Sequence, residues 1–137
     1  MTTTAVLLIP GFFGFGRFQG RDGFQIEYFA GIAKIFERAG KDVRVLVHEP
    51  PPTGSLDARV ASLHDAVLKL LAGTDLHHND PFKAKRIHLI GHSAGGVDAR
   101  LYTRPEFRWA GGPAPEQRAD VLKAIGDVVT LSAPFHG

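Results

Sequence analysis

The sequence predicts an α/β fold in which an open, doubly wound parallel sheet carries helices on both faces. Short, continuous apolar runs alternate along the chain with segments whose apolar residues recur every three or four positions. These two patterns are typical of buried strands and amphipathic helices. Glycine-rich segments follow two of the apolar runs, at 11–16 and 91–96. Strands that alternate with helices pair in parallel, and such sheets bind ligands beyond the carboxyl ends of their strands.

The first half of the chain predicts two strands and two helices. Residues 5–9 form the first strand, and a loop rich in Gly and Phe follows over 10–23. A helical pattern then covers 28–39, and residues 42–47 form the second strand. The second helix occupies 55–73, with a serine to cap its start and a glycine to end it. Its buried stripe is predicted to comprise Leu56, Val60, Leu63, Val67, Leu70 and Leu71.

The second half predicts two further strands. Residues 86–90 form the third strand, and a helix from 94 to about 103 follows at once. Residues 105–118 have no regular pattern, and a short helix is predicted over 119–124. The fourth strand is predicted over 127–132.

The composition is that of a soluble globular protein. Its 137 residues are 44% hydrophobic and 22% charged, which predicts a single domain over 1–137 with a net charge of only +2. Lys and Arg are scattered, which argues against a nucleic-acid or membrane surface. The absence of cysteine excludes disulfides and thiolate metal sites, and we expect no metal and no cofactor. The run at 5–9 is too short for a signal peptide or a membrane span, so we expect a cytoplasmic protein.

Residues 91–95, Gly-His-Ser-Ala-Gly, connect a predicted strand to a predicted helix. A Gly-x-Ser-x-Gly pattern in this context is typical of a serine on a strained turn that exposes its hydroxyl above the sheet. We therefore expect Ser93 to be a nucleophile, with Gly91 and Gly95 leaving room for the turn. The side chain of His92 leaves the turn in another direction and is expected to support it. The alternative is a Gly-rich turn whose serine caps the following helix.

A serine that attacks a carbonyl group needs donors for the developing oxyanion, commonly two backbone N–H groups. Ala94, directly after the serine, is expected to supply one of them. The loop after the first strand is expected to supply the other, because Gly11 allows a sharp turn that presents the N–H of Phe12. The phenylalanines of this loop are expected to line an apolar acyl pocket, although ordinary core packing is the alternative. They are Phe12, Phe13, Phe15 and Phe18.

Three stretches, "PGFFGFGRF", "GHSAGGVDARLY" and "TLSAPFHG", resemble signatures of the α/β-hydrolase fold, in particular those of bacterial triacylglycerol lipases and related esterases. They occur in the family's order and span residues 6–137. The resemblance implies a three-layer sandwich whose C-terminal strands are missing here, with Ser93 as nucleophile, Phe12 and Ala94 as oxyanion donors, and an ester or lipid substrate. Pro10 stands where many members have His, and His136 lies one place late.

The groups that would activate the serine are not evident in the chain. In this fold the acid and then the histidine follow the serine along the sequence. Asp98 lies on the helix behind the serine, Asp127 is predicted to begin a strand at the wrong end, and His136 comes too early. The fourth strand would also be an uncovered sheet edge. We therefore expect either the N-terminal part of a longer hydrolase or a second chain that completes the sheet and the triad.

Two other functions stay open at this point. One is a dinucleotide-binding module, because residues 11–16 give Gly-x-x-Gly-x-Gly after a strand and Glu49 could hold a ribose. Bulky phenylalanines suit a pyrophosphate site poorly, and this hypothesis leaves the serine turn unexplained. The other is a non-catalytic or degenerate hydrolase fragment that needs a partner chain. His48, His64 and His88 are expected to be structural or solvent-facing residues.

Overall fold

The computed structural model describes a four-stranded sheet and three helices, over residues 3–11, 34, 38, 40, 42–49, 51, 54–74 and 82–131. The strands are β1 (Thr4–Ile9), β2 (Val43–Val47), β3 (Arg86–His92) and β4 (Ile125–Leu131). The helices are α1 (Leu56–Ala72), α2 (Ala94–Tyr102) and α3 (Pro115–Leu122). The strand order is β2-β1-β3-β4 and all three pairings are parallel, so the predicted α/β fold with a parallel sheet is confirmed.

β1 lies inside the sheet and is buried on both faces. A continuous run of apolar, often branched side chains is what such a strand requires. Ala5, Leu7 and Ile9 belong to the main core cluster, which also contains the buried side chains of α1 and α2. Val6 and Leu8 point to the other face and pack with Ile90. The helix predicted over 28–39 and the loop predicted over 10–23 lie largely outside the described residues, so helices on both faces stay a prediction.

α1 follows its sequence pattern closely. The hydroxyl of Ser55 accepts a hydrogen bond from the N–H of Ala58 at 3.2 Å, which satisfies one of the donors that the first turn leaves free. Gly73 ends the helix in the left-handed conformation at φ 75°. Val60, Leu63, Val67 and Leu70 are buried, while Leu56 and Leu71 are partly buried against the same core.

Three elements have a boundary that differs from the prediction by two residues or more. β3 continues beyond residue 90 to His92, so the strand leads directly into the serine turn. β4 begins at Ile125, which places Asp127 inside the strand and not at its start. α3 begins at Pro115, within the stretch predicted to be irregular. Its N-cap residue is Ala114, which makes no side-chain capping bond, so the usual capping signal is missing and only the proline at the first helical position marks the start.

β4 pairs only with β3 among the described strands, which leaves its other side as a sheet edge in that part of the chain. Val129 on this strand is exposed. Within the described ranges, no helix is long and apolar enough to cross a membrane.

Candidate functional site

The serine turn, residues 91–95, lies at the carboxyl end of β3. Ser93 stands between the last residue of the strand and the first residue of α2, with φ 55° and ψ −126°. It is the single non-glycine residue with positive φ in the described part of the chain. Such a conformation costs about 1–3 kcal/mol and persists only where the surroundings impose it. Although Ser93 occupies the N-cap position, its side chain makes no capping hydrogen bond, so the hydroxyl does not serve the helix.

Close backbone contacts impose this conformation. A Cβ atom on Gly91 would lie 2.4 Å from the carbonyl oxygen of Gly95. A Cβ atom on Gly95 would lie 2.3 Å from the carbonyl oxygen of Ile9 and 2.6 Å from that of Pro10. Neither position can carry a side chain without a backbone shift. The expected need for glycine at both positions therefore has a steric cause: the start of α2 lies against the end of β3 at Gly91 and against the end of β1 at Gly95.

Two backbone hydrogen bonds anchor the turn further. The N–H of Ser93 donates to the carbonyl of Leu131 in β4 at 2.9 Å, and the N–H of Gly96 donates to the carbonyl of Ser93 at 3.0 Å. Ser93 and Ala94 are half-buried. Ala94 is the first residue of α2, so its N–H group has no partner inside the helix and lies at the positive end of the helix dipole. An N–H group without an intrahelical acceptor therefore lies directly after the serine in the chain, at the position expected for an oxyanion donor.

The structure reports on only some of the predicted site residues. Gly91, Ser93, Ala94 and Gly95 form one continuous turn, and His92 is the half-buried last residue of β3. The second predicted oxyanion donor and the predicted pocket wall lie outside the described residues, as does the histidine near the C-terminal end. Those residues are Phe12, Phe13, Phe15, Phe18 and His136.

Of the two aspartates considered as triad acids, one is paired with an arginine and the other lies exposed on β4. Asp98 is 4% exposed, and its carboxylate accepts hydrogen bonds from Nε and Nη2 of Arg59 at 2.9 and 3.1 Å. Asp127 lies on β4 with its side chain almost fully exposed. Its backbone N–H donates to Nδ1 of His88 at 2.8 Å, so His88 has a structural partner.

Two other histidines are kept neutral by their surroundings. Burial lowers the pKa of His48 to about 4, although the negative charges of Glu49 and Asp65 oppose the shift. Burial, assisted by the positive charge of Arg118, also lowers the pKa of His64. His48 follows β2, which β1 separates from β3. His64 lies at the far end of α2 from Ser93, with Nδ1 2.8 Å from the hydroxyl of Tyr102.

Sequence analysis did not anticipate a polar cleft beside β2. This cleft has a volume of about 230 Å³. His48, Ser62, Asp65 and Lys69 line it above an apolar floor, and Nε2 of His48 lies 3.5 Å from the hydroxyl of Ser62. The described residues contain no group of three or more His, Asp or Glu side chains suited to hold a metal ion. Glu49, the candidate ribose ligand, is exposed at the rim of this cleft.

Sequence analysis also missed the burial of Arg118 at the other end of α2. This side chain is 2% exposed. It donates to the carbonyls of Tyr102 and Phe107, and to that of Arg104 at 2.6 Å. Its guanidinium carbon lies 4.9 Å from the centre of the Trp109 ring. No local signal marks this arginine, because it stands in a polar stretch and its partners come from a separate segment.

Comparison with known proteins gives a distant relationship. No protein-family model matches the chain. The chain is 33% identical over 132 residues to a triacylglycerol lipase of Vibrio cholerae, an alignment that covers 96% of this chain and 35% of the lipase. The chain therefore spans about a third of the length of that relative. The comparison supports a lipase-like relationship and suggests a hydrolase-like function.

Proposed function

We propose that the protein is a serine ester hydrolase of the α/β-hydrolase type, lipase-like or esterase-like, that works through an acyl-enzyme on Ser93. The observation that carries the proposal is the conformation of Ser93, at φ 55° between a parallel strand and a helix. Strain of this kind concentrates at functional sites. The similarity to a triacylglycerol lipase gives independent support, because the relative's name specifies ester chemistry on a lipid.

The described geometry suits the first step of acyl transfer. The hydroxyl oxygen of Ser93 attacks the ester carbonyl carbon, forming a C–O bond while its proton passes to a general base. The carbonyl oxygen becomes an oxyanion, and the N–H of Ala94 at the start of α2 donates to it. The resemblance assigns the second donor to Phe12. The alcohol then leaves with a proton, and water releases the acid from the serine in the reverse sequence.

The proposal places the general base and its acid outside this sequence. Asp98 is already paired with Arg59, and His48 and His64 lie away from the turn. Since the chain spans about a third of the lipase relative, a further segment or a second chain would contribute both groups. Without them a serine is a poor nucleophile at neutral pH.

The test uses the protein as its native source produces it, whose intact mass is compared first with the 14.8 kDa of this chain. A fluorescent organophosphonate is then added, and the modified residue is located by peptide mass spectrometry. We expect labelling at Ser93, turnover of a p-nitrophenyl ester, and loss of both in Ser93→Ala.

Ser62→Ala is the matched control, because the hydroxyl of Ser62 also lies near a histidine, 3.5 Å from Nε2 of His48. Its labelling and turnover should equal those of the unaltered protein. Turnover that survives in Ser93→Ala would contradict the proposal. A folded protein that the probe does not label at all would favour a non-catalytic role, and tight binding of NAD would favour the dinucleotide hypothesis.

A further inference from the structure

We propose that the partly buried ion pair between Arg59 and Asp98 positions the serine turn, so that both are positioning residues for the reaction at Ser93. The inference rests on the proposed function and adds to it a second element that controls reactivity. Neither side chain is assigned contact with substrate. Their role is to fix where α2 begins.

Asp98 connects the pair to the turn. It is the fifth residue after Ser93 and lies on α2, the helix that starts directly after the serine. Both carboxylate oxygens are used, one by Nε and one by Nη2 of Arg59. A two-pronged contact between a guanidinium and a carboxylate fixes their relative orientation as well as their distance. The pair therefore restrains both the translation and the rotation of α2.

Arg59 connects the pair to the rest of the fold. It stands in the second turn of α1, and its Nη1 donates to the carbonyl of Gly54, just before that helix, at 3.3 Å. All three guanidinium nitrogens thus have acceptors. The side chain joins three pieces of structure, namely the segment at Gly54, the start of α1 and the middle of α2.

The steric contact at Gly95 makes α2 sensitive to this restraint. Gly95 already lies against the carbonyls of Ile9 and Pro10 without room for a methyl group. That contact prevents α2 from moving toward β1, but contact alone does not prevent movement away from it. The ion pair between Arg59 and Asp98 adds an attractive contact that ties the middle of the same helix to α1. A displacement on the order of 1 Å at a reacting group can lower a rate about 100-fold.

A surface pair on α1 provides a contrast. Lys69 and Asp65 lie 3.1 Å apart, with side chains 57% and 65% exposed. Such a pair is screened by water and restrains little. Asp65→Asn and Asp98→Asn each remove one carboxylate charge that is paired with a basic side chain. The first pair lies at the surface and the second lies behind the serine turn. The first is therefore the matched control for the second.

The experiment measures inactivation of the native-source protein by the organophosphonate, separated into the binding constant KI and the maximal rate kinact. Asp98→Asn and Arg59→Gln are expected to lower kinact roughly 10- to 100-fold and to leave KI within about threefold. Arg59→Lys keeps the charge but loses the two-pronged contact, so it should give an intermediate kinact. Asp65→Asn should keep the native kinact. Each protein is assayed at a temperature below its own melting transition.

The outcomes separate this inference from the proposed function. Native kinact in folded Asp98→Asn overturns the positioning role, since a merely structural pair would lower the melting temperature alone. If Asp98→Asn does not fold, Arg59→Lys decides, and native kinact in that folded variant overturns the inference equally. Absence of labelling in the unaltered protein, or equal labelling in Ser93→Ala, contradicts the proposed function instead.

Discussion

Ser93 stands at one end of α2 and Tyr102 at the other, and different kinds of contact hold the two ends. At the first end, backbone meets backbone, since Gly95 lies against the carbonyls of Ile9 and Pro10 and the side chain of the N-cap residue Ser93 makes no capping hydrogen bond. At the second end, a side chain from another helix donates to the backbone. Arg118 satisfies the carbonyl of Tyr102, one of the acceptors that the last turn leaves free.

This difference in contacts shows which end of α2 has backbone groups available to a reacting substrate. A buried guanidinium at a helix C-terminus both satisfies its carbonyls and complements the negative end of the dipole. At the N-terminal end the side chain of Ser93 makes no capping bond, and the N–H of Ala94, the first helical residue, lacks an acceptor inside the helix. An oxyanion site needs donors of this kind, held in advance. Substitutions at the two ends should therefore have different consequences, the first for both reactivity and stability and the second for stability alone.

Gly95→Ala should have the largest effect. Its Cβ would lie 2.3 Å from a backbone oxygen that cannot rotate away, so α2 must move. We expect a loss of more than about 3 kcal/mol in the free energy of unfolding, at or beyond the upper end for overpacking, together with loss of labelling at Ser93. Urea denaturation and organophosphonate labelling measure the two effects.

Gly126→Ala is the control for that substitution. Its Cβ would also meet an atom at 2.4 Å, but that atom is Cε1 of His88, a side chain 29% exposed that can turn outward. The cost should be about 1 kcal/mol, close to that of the lost hydrogen bond to Asp127, and labelling should persist. Equal effects of the two substitutions would show that backbone contact is not what distinguishes the turn.

Arg118→Met should come second and should affect stability alone. Methionine fills similar space but leaves the carbonyl of Tyr102 without its donor, and it removes one of two donors from the carbonyls of Arg104 and Phe107. We expect a loss of about 3 kcal/mol, measured by urea denaturation, with labelling of Ser93 unchanged in the folded fraction. Arg108 also donates to the carbonyls of Pro105 and Phe107, but its side chain is exposed, so Arg108→Met should change stability by less than about 0.5 kcal/mol. A large fall in labelling with Arg118→Met would remove the functional distinction between the two ends.

His48 should make the free energy of unfolding depend on pH. The backbone contacts of the serine turn contain no titrating group and should not. Its pKa is about 4 in the folded protein and 6.5 in the unfolded chain, so the unfolded state binds more protons between these values. Stability is then full above pH 6.5 and falls as the pH drops toward 4. From pH 7 to 5 the unaltered protein should lose about 2 kcal/mol more than His48→Gln, as measured by urea denaturation. Parallel pH profiles for the two proteins would contradict this assignment.

The sequence predicted the features that rest on local patterns. The stripe of α1 repeats every three or four residues, and the glycines around Ser93 mark a turn by themselves, so both were identified from the residues. The start of α3 was missed because Ala114 carries no capping group. Burial of Arg118 could not be foreseen, since its carbonyl partners belong to residues that converge only in the folded chain. The cleft at His48 depends in the same way on how β2 packs against α1.

Ser93→Gly should have the smallest effect and an unusual sign. Glycine adopts φ 55° freely, so the substitution relieves about 1–3 kcal/mol of strain in the folded protein. The greater conformational freedom of glycine also stabilises the unfolded chain by about 0.4–1 kcal/mol, which offsets part of that gain. The variant should be about 1 kcal/mol more stable by urea denaturation and should not react with the organophosphonate. Thr103→Gly, at the opposite end of α2 with φ −84°, should instead lose stability, because no strain is relieved there. If both glycine variants were destabilised alike, positive φ at Ser93 would not be a source of strain. A gain confined to Ser93 would mean that the fold holds this residue, and not the other end of the helix, against its own conformational preference.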